Sequence, residues 1–255
     1  QQRIEVPETD DEIKKLIITF NDMISRLDQS FEKQKQFISD ASHELRSPIS
    51  VIQGYVNLID RWGKSDTEVL EESISSIKYE TEHMANLIKQ LLFLARTDNK
   101  TQTAQLKPED ISIIAEDVVK EATVMDPKIS IKFTGNSSVT ANIDEHLIKQ
   151  LMWIFVDNAI KYSADKPIII DVNTGYEDGK PFFTVTDKGI GMEQENINHI
   201  FDRFYRADQS RNKEIDGNGL GLSIAKWIIE QHNGHIDVIS EIGNGSCFKI
   251  TFPQI

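Results

Sequence analysis

Ser42-His43-Glu44-Leu45-Arg46-Ser47-Pro48 is the stretch that decides how this chain is organised. Around it, apolar residues recur in steps of four and three: Leu16, Phe20, Met23 and Leu27, then Phe31, Gln34, Ile38, Ala41, Leu45, Pro48, Ile52, Tyr55 and Ile59. That spacing predicts a long helix with an apolar seam, of the kind that pairs in a coiled coil. Gln34 and Pro48 are its flaws. The steps from Met23 to Leu27 and from Leu27 to Phe31 are both four, a stutter that locally unwinds a coiled coil. His43 falls between the seam positions Ala41 and Leu45, on the flank of the helix. Pro48 has no amide hydrogen and predicts a bend just past His43.

Residues 61–67 interrupt the pattern with Gly63 and polar side chains. A second series follows at Leu70, Ile74, Ile77, Thr81, Met84, Ile88, Leu91 and Ala95. Two helices joined by a short loop form an antiparallel hairpin. A lone hairpin cannot cover both apolar stripes, so two chains are expected to form a homodimeric four-helix bundle. Residues 99–110 are polar and read as a linker, with Pro108 opening a helix at roughly 110–124. Beyond it, strand patterns near 129–134, 138–143, 167–175, 181–187, 234–240 and 246–252 alternate with helical patterns near 144–162, 193–200 and 219–232. Asp144 is a good N-cap for the first of these helices and Gly234 a good stop for the last. The fold class is therefore α+β: the hairpin, then an α/β sandwich in which one mixed sheet uses all the strands and carries helices on one face. The domain boundaries expected are 1–31, 32–98, 99–109 (linker) and 110–255. The polar segment between Gly191 and Gly217 reads as a lid.

The chain has 255 residues, 39% hydrophobic and 27% charged, as befits one or two domains with real cores. Its formal net charge of −13 argues against nucleic-acid binding. Cys247 is the single cysteine, so no internal disulfide forms; a cytosolic compartment fits, with Cys247 as a small buried hydrophobe. No apolar run approaches the ~18 residues of a spanning helix. The chain opens Gln1-Gln2-Arg3, without a signal peptide or initiator methionine, and is read as a soluble portion excised from something longer.

Several residues stand out chemically. Asn158 continues the apolar stripe of Leu147, Leu151, Ile154 and Phe155, with Lys161 and Tyr162 beside it. A carboxamide facing a core needs partners; it is either a structural asparagine bonded to backbone or a magnesium ligand, with Lys161 screening phosphate. Asp187 shares a strand face with Phe183 and Val185 and opens Asp187-Lys188-Gly189-Ile190-Gly191. It is either part of an ordinary turn or a buried carboxylate that accepts from an adenine amino group, the glycines admitting a flat ring. Gly217-Asn218-Gly219-Leu220-Gly221-Leu222 precedes a helix, and backbone amides at such an end hold phosphate. Neither the Rossmann spacing nor the Walker lysine is present. His43 is an ordinary surface histidine unless a nucleotide pocket shares the chain. Its neutral imidazole is then a competent nucleophile that Glu44 can orient or relieve of a proton. His83, His146, His199, His232 and His235 lack metal-site spacing and read as structural or surface residues.

With these residues in hand, the chain resembles the sensor histidine kinases of bacterial two-component systems along nearly its whole length. Phe37 to Ile49 resembles the H-box, Asp157-Asn158-Ala159-Ile160-Lys161-Tyr162-Ser163 the N-box and Asp187 to Gly191 the G1 box. Phe201-Asp202-Arg203-Phe204-Tyr205 resembles the F-box and Gly217 to Leu222 the G2 box. Residues 11–30, with Phe20-Asn21-Asp22-Met23, are similar to the end of a HAMP signalling module. The resemblance implies a membrane protein whose transmembrane helix lies N-terminal to this cytoplasmic portion. It implies ATP and Mg2+ as cofactors and His43 as phospho-acceptor, with Glu44 and Ser47 beside it. Asn158 would be the magnesium ligand, and ATP would be held by Asn158, Lys161, Tyr162, Asp187, Gly189, Gly191, Arg203, Arg206, Gly217, Gly219, Leu220 and Gly221. Residues 192–216 would form the ATP lid. The partners implied are a second copy of the chain and the receiver domain of a response regulator, which takes the phosphoryl group on an aspartate and is also dephosphorylated.

Two departures stand against the family pattern. Ile154 occupies a position where relatives often carry a second asparagine, so the metal site relies on Asn158 with water or polar groups near Asp144. Ser47 replaces a frequent threonine, and its hydroxyl keeps the ability to position water. A chaperone- or gyrase-type ATPase on the same nucleotide fold is one rival, which the His43 hairpin disfavours. A non-catalytic scaffold is another, which the presence of Asn158, Asp187 and the glycines disfavours. If signals arrive through the first helix, inserting three residues at Leu27–Phe31 restores heptad phase and is expected to change basal phosphorylation; unchanged activity would contradict this.

Overall fold

The computed structural model describes residues 4, 12–63, 66–125, 129–135, 138–163, 168–207 and 217–254. The expectations for residues 1–3 and 5–11 of the N-terminal module, and for 208–216 of the lid segment, lie outside the described residues. The chain divides into two compact units, Gln1–Ala85 and Asn86–Ile255.

The first unit is built on α1 (Glu12–Trp62), a 51-residue helix, and on the start of α2 (Thr67–Asp98). At 1.5 Å per residue α1 is about 75 Å long. It continues as helix through Pro48, which is buried and whose missing N–H leaves the Glu44 carbonyl without its helical donor. Hydroxyls on either side bond back to the helix: Ser42 Oγ donates to Ile38 O at 2.7 Å and Ser50 Oγ to Arg46 O at 3.0 Å. Asp66 starts α2, its Oδ1 accepting from Glu68 N (3.0 Å) and Val69 N (3.2 Å), a cap contributing about 1 kcal/mol. The Asn21 side chain brackets the Ile4 backbone, donating to Ile4 O at 2.8 Å and accepting from Ile4 N at 3.2 Å. In the single chain the seam residues Leu16, Met23, Leu27, Phe31 and Ile38 are all more than half exposed.

In the second unit the end of α2 is followed by β1 (Lys107–Asp110), α3 (Ile111–Met125), β2 (Ile129–Phe133), β3 (Thr140–Ile143) and α4 (Glu145–Lys161). Next come β4 (Ile168–Glu177), β5 (Lys180–Asp187), the short α5 (Gln194–Ile197), α6 (Gly221–Gln231), β6 (His235–Glu241) and β7 (Gly245–Thr251). Five strands form a mixed sheet in the order β2-β4-β5-β7-β6, parallel only between β2 and β4. α3, α4 and α6 pack together and against it. The core between the layers is dense with aromatics. Phe155 of α4 stacks on Phe248 of β7 at 4.8 Å, and Phe183 and Phe252 lie beside them, nearly inaccessible. Each such ring contributes about 1.5–3 kcal/mol by leaving water.

Two expectations are corrected. Residues 138–143 do not join the main sheet. Their strand, β3, pairs antiparallel with β1 in a separate two-stranded sheet. Pro108 therefore lies in a strand, the tract read as linker ends in ordered structure, and the helix expected at roughly 110–124 follows at once as α3. The side chain that starts α3 is Asp110, whose Oδ1 accepts from Ser112 N (2.8 Å) and Val139 N (3.1 Å). Those bonds hold its carboxyl below the usual carboxylate range, against the opposing effect of burial, the largest single influence on it.

His232 ties two helices together. Its Nδ1 donates to Ile228 O at 2.7 Å, and its Nε2 accepts from Asp144 N at 2.9 Å, at the start of α4. Burial lowers its pKa below the ordinary value of 6.5, so the imidazole is neutral at pH 7. The unfolded chain takes up this proton as pH falls below about 6.5, whereas the fold resists it. Stability is thus fully present above that value and falls below it, by at most about 1.4 kcal/mol per pH unit from this group. Denaturant melts at pH 7.5 and pH 5.5 are expected to show a smaller loss for His232→Gln than for the native chain; equal losses would contradict a neutral His232.

Candidate nucleotide site and phospho-acceptor helix

The site in the second unit is organised along α4. Asp144 caps it, Oδ1 accepting from Leu147 N at 3.2 Å. Leu147, Ile148, Leu151, Met152, Phe155, Val156 and Ala159 bury one face. Ile154, Asn158 and Tyr162 recur every four residues along a neighbouring stripe, about 12 Å of helix from first to last. Both ends of that stripe touch glycine loops. Ile154 Cγ2 lies 3.4 Å from the place where a Cβ on Gly221 would stand. Tyr162 O accepts from Ile190 N at 3.0 Å. Asn158, half-buried, sits midway between the two loops, and among the described residues its carboxamide has no hydrogen-bond partner. Lys161 Nζ pairs with Asp157 Oδ2 at 2.7 Å.

The first loop follows β5, whose alternation buries Pro181, Phe183, Val185 and Asp187 in turn. Asp187 is 7% exposed. Oδ1 accepts from Gly189 N at 2.7 Å and Ser246 N at 3.3 Å; among the described residues Oδ2 accepts nothing. Burial raises the carboxyl's pKa, partly offset by those two bonds. Gly191 has φ +67°, and a Cβ there would overlap Glu241 O, so only glycine lets this loop lie on the β6–β7 turn. Gly189 likewise admits the Tyr162 carbonyl. Ser240 Oγ accepts from Met192 N at 2.9 Å and lies 2.9 Å from Ser246 Oγ, completing a polar wall behind Asp187.

The second loop, Gly217 to Leu220, leads into the 11-residue α6. Leu220 is fully buried and anchors it, while Gly217 stands in open space. Among the described residues no side chain caps α6, which leaves its first amides open to an anion. Gly219 has φ +67°, and its carbonyl accepts from Phe204 N at 3.0 Å. This seats Phe204, itself at φ +61°, directly on the loop. Arg203 binds Asp98 through both terminal nitrogens, and Arg206 is half-buried.

On α1, in the first unit, His43, Glu44 and Ser47 are all exposed. The structure thus gathers Asn158, Tyr162, Asp187, Gly189, Gly191, Gly219, Leu220 and Gly221 around two loops and one helix. Sequence reasoning missed Ser246, Ser240, the Asp98–Arg203 pair and the His232–Asp144 bond. A Gly243-Asn244-Gly245 turn was legible before Ser246, but nothing local linked it to Asp187.

Comparison with known families decides the assignment. Residues 33–100 match the His Kinase A (phospho-acceptor) domain, and residues 143–255 match the Histidine kinase-, DNA gyrase B-, and HSP90-like ATPase domain. The chain belongs to the histidine kinases of two-component systems. The chain is 41% identical to the sensor histidine kinase YkoH of Bacillus subtilis (strain 168), over 97% of its length and 54% of that protein's. It is 39% identical to the signal transduction histidine-protein kinase ArlS of Staphylococcus haemolyticus, over 99% of its length and 56% of that protein's. The chain spans about half the length of the curated relatives it matches. The crystal structure of histidine kinase ThkA in complex with response regulator protein TrrA shares the fold, with a TM-score of 0.68 at 20% identity over 90% of this chain and 66% of that one. Among the described residues no helix is long and apolar enough to cross a membrane.

Keeping Asp187 charged in a buried site works against the stability of the fold at pH 7. Asp187→Asn keeps the acceptor for Gly189 N but places a donor where Oδ2 stood. It is expected to weaken ATP binding at least about tenfold, or 1.4 kcal/mol, with no fall in melting temperature. A melting temperature that drops with ATP affinity intact would contradict the assignment.

Proposed function

We propose that ATP binds between the two glycine loops of the second unit and phosphorylates His43, and that the phosphoryl group then passes to an aspartate on the receiver domain of a response regulator. The observation that carries this reading is a set of groups that have no partner among the described residues. Asp187 Oδ2, the Asn158 carboxamide and the uncapped start of α6 are an adenine acceptor, a neutral metal ligand and a phosphate cradle. Asp187 accepts the adenine 6-amino group, Gly189 and Gly191 lie against the ring, and Tyr162 holds that loop to α4. Gly217, Gly219, Leu220 and Gly221 present amides to the phosphates, with Lys161, Arg203 and Arg206 as nearby cations.

Asn158 fits magnesium. Its carboxamide is unpartnered, and no group of three His, Cys, Asp or Glu side chains among the described residues forms a metal cage, which suits an ion carried largely by the triphosphate's own oxygens. When bound, the ion neutralises phosphate charge. Ile154 supplies packing against Gly221 in place of a second amide ligand. A neutral imidazole nitrogen of His43 attacks the γ-phosphorus; an N–P bond forms, the bond to the β,γ-bridging oxygen breaks, and ADP leaves with that electron pair. Glu44 orients the ring and takes the proton from the imidazolium. Catalysis is placement and charge stabilisation, as is usual for phosphoryl transfer.

The uncovered seam on α1 supports a homodimeric four-helix bundle, and the ThkA complex supports a receiver-domain partner. In a separate phosphatase reaction Ser47 places the water that attacks the phospho-aspartate phosphorus, releasing inorganic phosphate and the free aspartate. We also assign residues 1–31 to the end of a signalling module, 32–98 to dimerisation and phosphotransfer, 99–109 to a linker and 110–255 to catalysis. The whole would be the cytoplasmic part of a longer membrane sensor, in keeping with the greater length of its relatives.

Incubation with γ-labelled Mg-ATP is expected to give an acid-labile, base-stable phosphoprotein. His43→Ala should take no label, and Asn158→Ala should lose at least about a hundredfold, some 2.7 kcal/mol, with its circular dichroism unchanged. Label persisting in His43→Ala would place the nucleophile elsewhere. Steady ATP hydrolysis with no phosphoprotein would favour a gyrase- or chaperone-type ATPase.

A further inference from the structure

Arg203 and Asp98 are 105 positions apart, yet both lie in the second unit and form a two-point ion pair: Nη1 to Oδ2 at 2.8 Å and Nη2 to Oδ1 at 2.7 Å. An arginine fork is matched by a carboxylate and by a phosphate with nearly the same geometry. Arg203 is also one residue from the phosphate cradle, because Phe204 N donates to Gly219 O at 3.0 Å. Its guanidinium is therefore tethered next to the loop that leads into the uncapped α6, while its fork is filled by an internal carboxylate.

The last turns of α2 hold that carboxylate in place. Phe93 meets Trp227 of α6 edge-on, with ring centroids 5.2 Å apart. On a helical projection the arc from Phe93 to Asp98 also contains Gln90, Leu94 and Thr97, and of these Leu94 and Thr97 are buried. Gln90 Oε1 on the same arc is buried with no hydrogen-bond partner among the described residues. An orphaned acceptor is a standing penalty that release of this face into water would relieve. A two-point but partly exposed ion pair, with an unsatisfied amide about two turns back on the same helix, is an arrangement suited to opening.

Resting on the nucleotide reading above, we infer that Asp98 is a positioning residue that competes with the phosphates of ATP for Arg203, so that the end of α2 and a bound triphosphate hold the same arginine in turn. Because such coupling is reciprocal, ATP weakens the hold of α2, and loosening α2 strengthens ATP binding. A change delivered along α2 would thereby set nucleotide affinity without touching the pocket.

The test is titration of the full chain with Mg-ATP and, separately, with adenosine, which has no phosphate. Asp98→Asn removes the competitor's charge and is expected to tighten ATP binding about two- to tenfold, the range of an exposed-to-bidentate pair, while leaving adenosine affinity unchanged. In an Arg203→Ala background Asp98→Asn should have no effect on ATP, and Asp98→Glu, which keeps the charge, should stay close to the native value. Unchanged or weaker ATP binding by Asp98→Asn would overturn the inference. So would an equal gain for adenosine, or the same gain without Arg203. If the native chain bound neither ligand, the nucleotide reading itself would fall, and this inference with it.

Discussion

One almost wholly buried carboxylate governs the second unit. β5 buries every other side chain, and its last inward position is Asp187. A charge so placed demands donors, and the described residues supply two, Gly189 N and Ser246 N, both to the same oxygen. To deliver them, the loop after β5 must fold back on itself, and the β6–β7 turn must close against it. Both requirements exclude side chains, which is why glycine stands at 189, 191 and 245. The oxygen left over defines what the pocket can read: a ligand group that donates hydrogen.

From that fixed point α4 acts as a ruler. Tyr162 holds the first loop, Ile154 packs on the start of α6, and Asn158 lies between, at the same helical phase. The aromatic cluster of Phe155, Phe183, Phe248 and Phe252 fixes α4 against the sheet, while the His232–Asp144 bond joins its beginning to the end of α6. The spacing between the two glycine loops, the proposed base and phosphate ends, is thus set by rigid elements rather than by loops. His43, by contrast, is exposed on a helix in the other unit, as suits the phospho-acceptor role proposed for it.

Much of this was legible in the sequence, because it repeats with a local period. The long seam of α1 and α2, the inward phase of Asp187 and the position of Asn158 on an apolar stripe all follow from periods of 3.6 and 2. What escaped notice depends on residues far apart in the chain. β1 was missed because Lys107-Pro108-Glu109-Asp110 has neither alternation nor apolar content; only its pairing with Thr140–Ile143, the strand expected near 138–143, makes it a strand. Arg203 was placed near phosphate by its motif, but its bond to Asp98 spans 105 positions and leaves no trace in either neighbourhood. Ser246 donates to Asp187 through its backbone, which no side-chain reading could reveal.

Purine selectivity tests this account most directly, since the buried acceptor and its unfilled oxygen should distinguish a 6-amino from a 6-oxo group. Titration of the full chain with Mg-ATP and with Mg-GTP is expected to show binding of ATP stronger by about a hundredfold or more, the penalty of leaving buried acceptors facing each other. Equal affinity for the two nucleotides would contradict Asp187 as the base-reading group and, with it, the arrangement built around that residue.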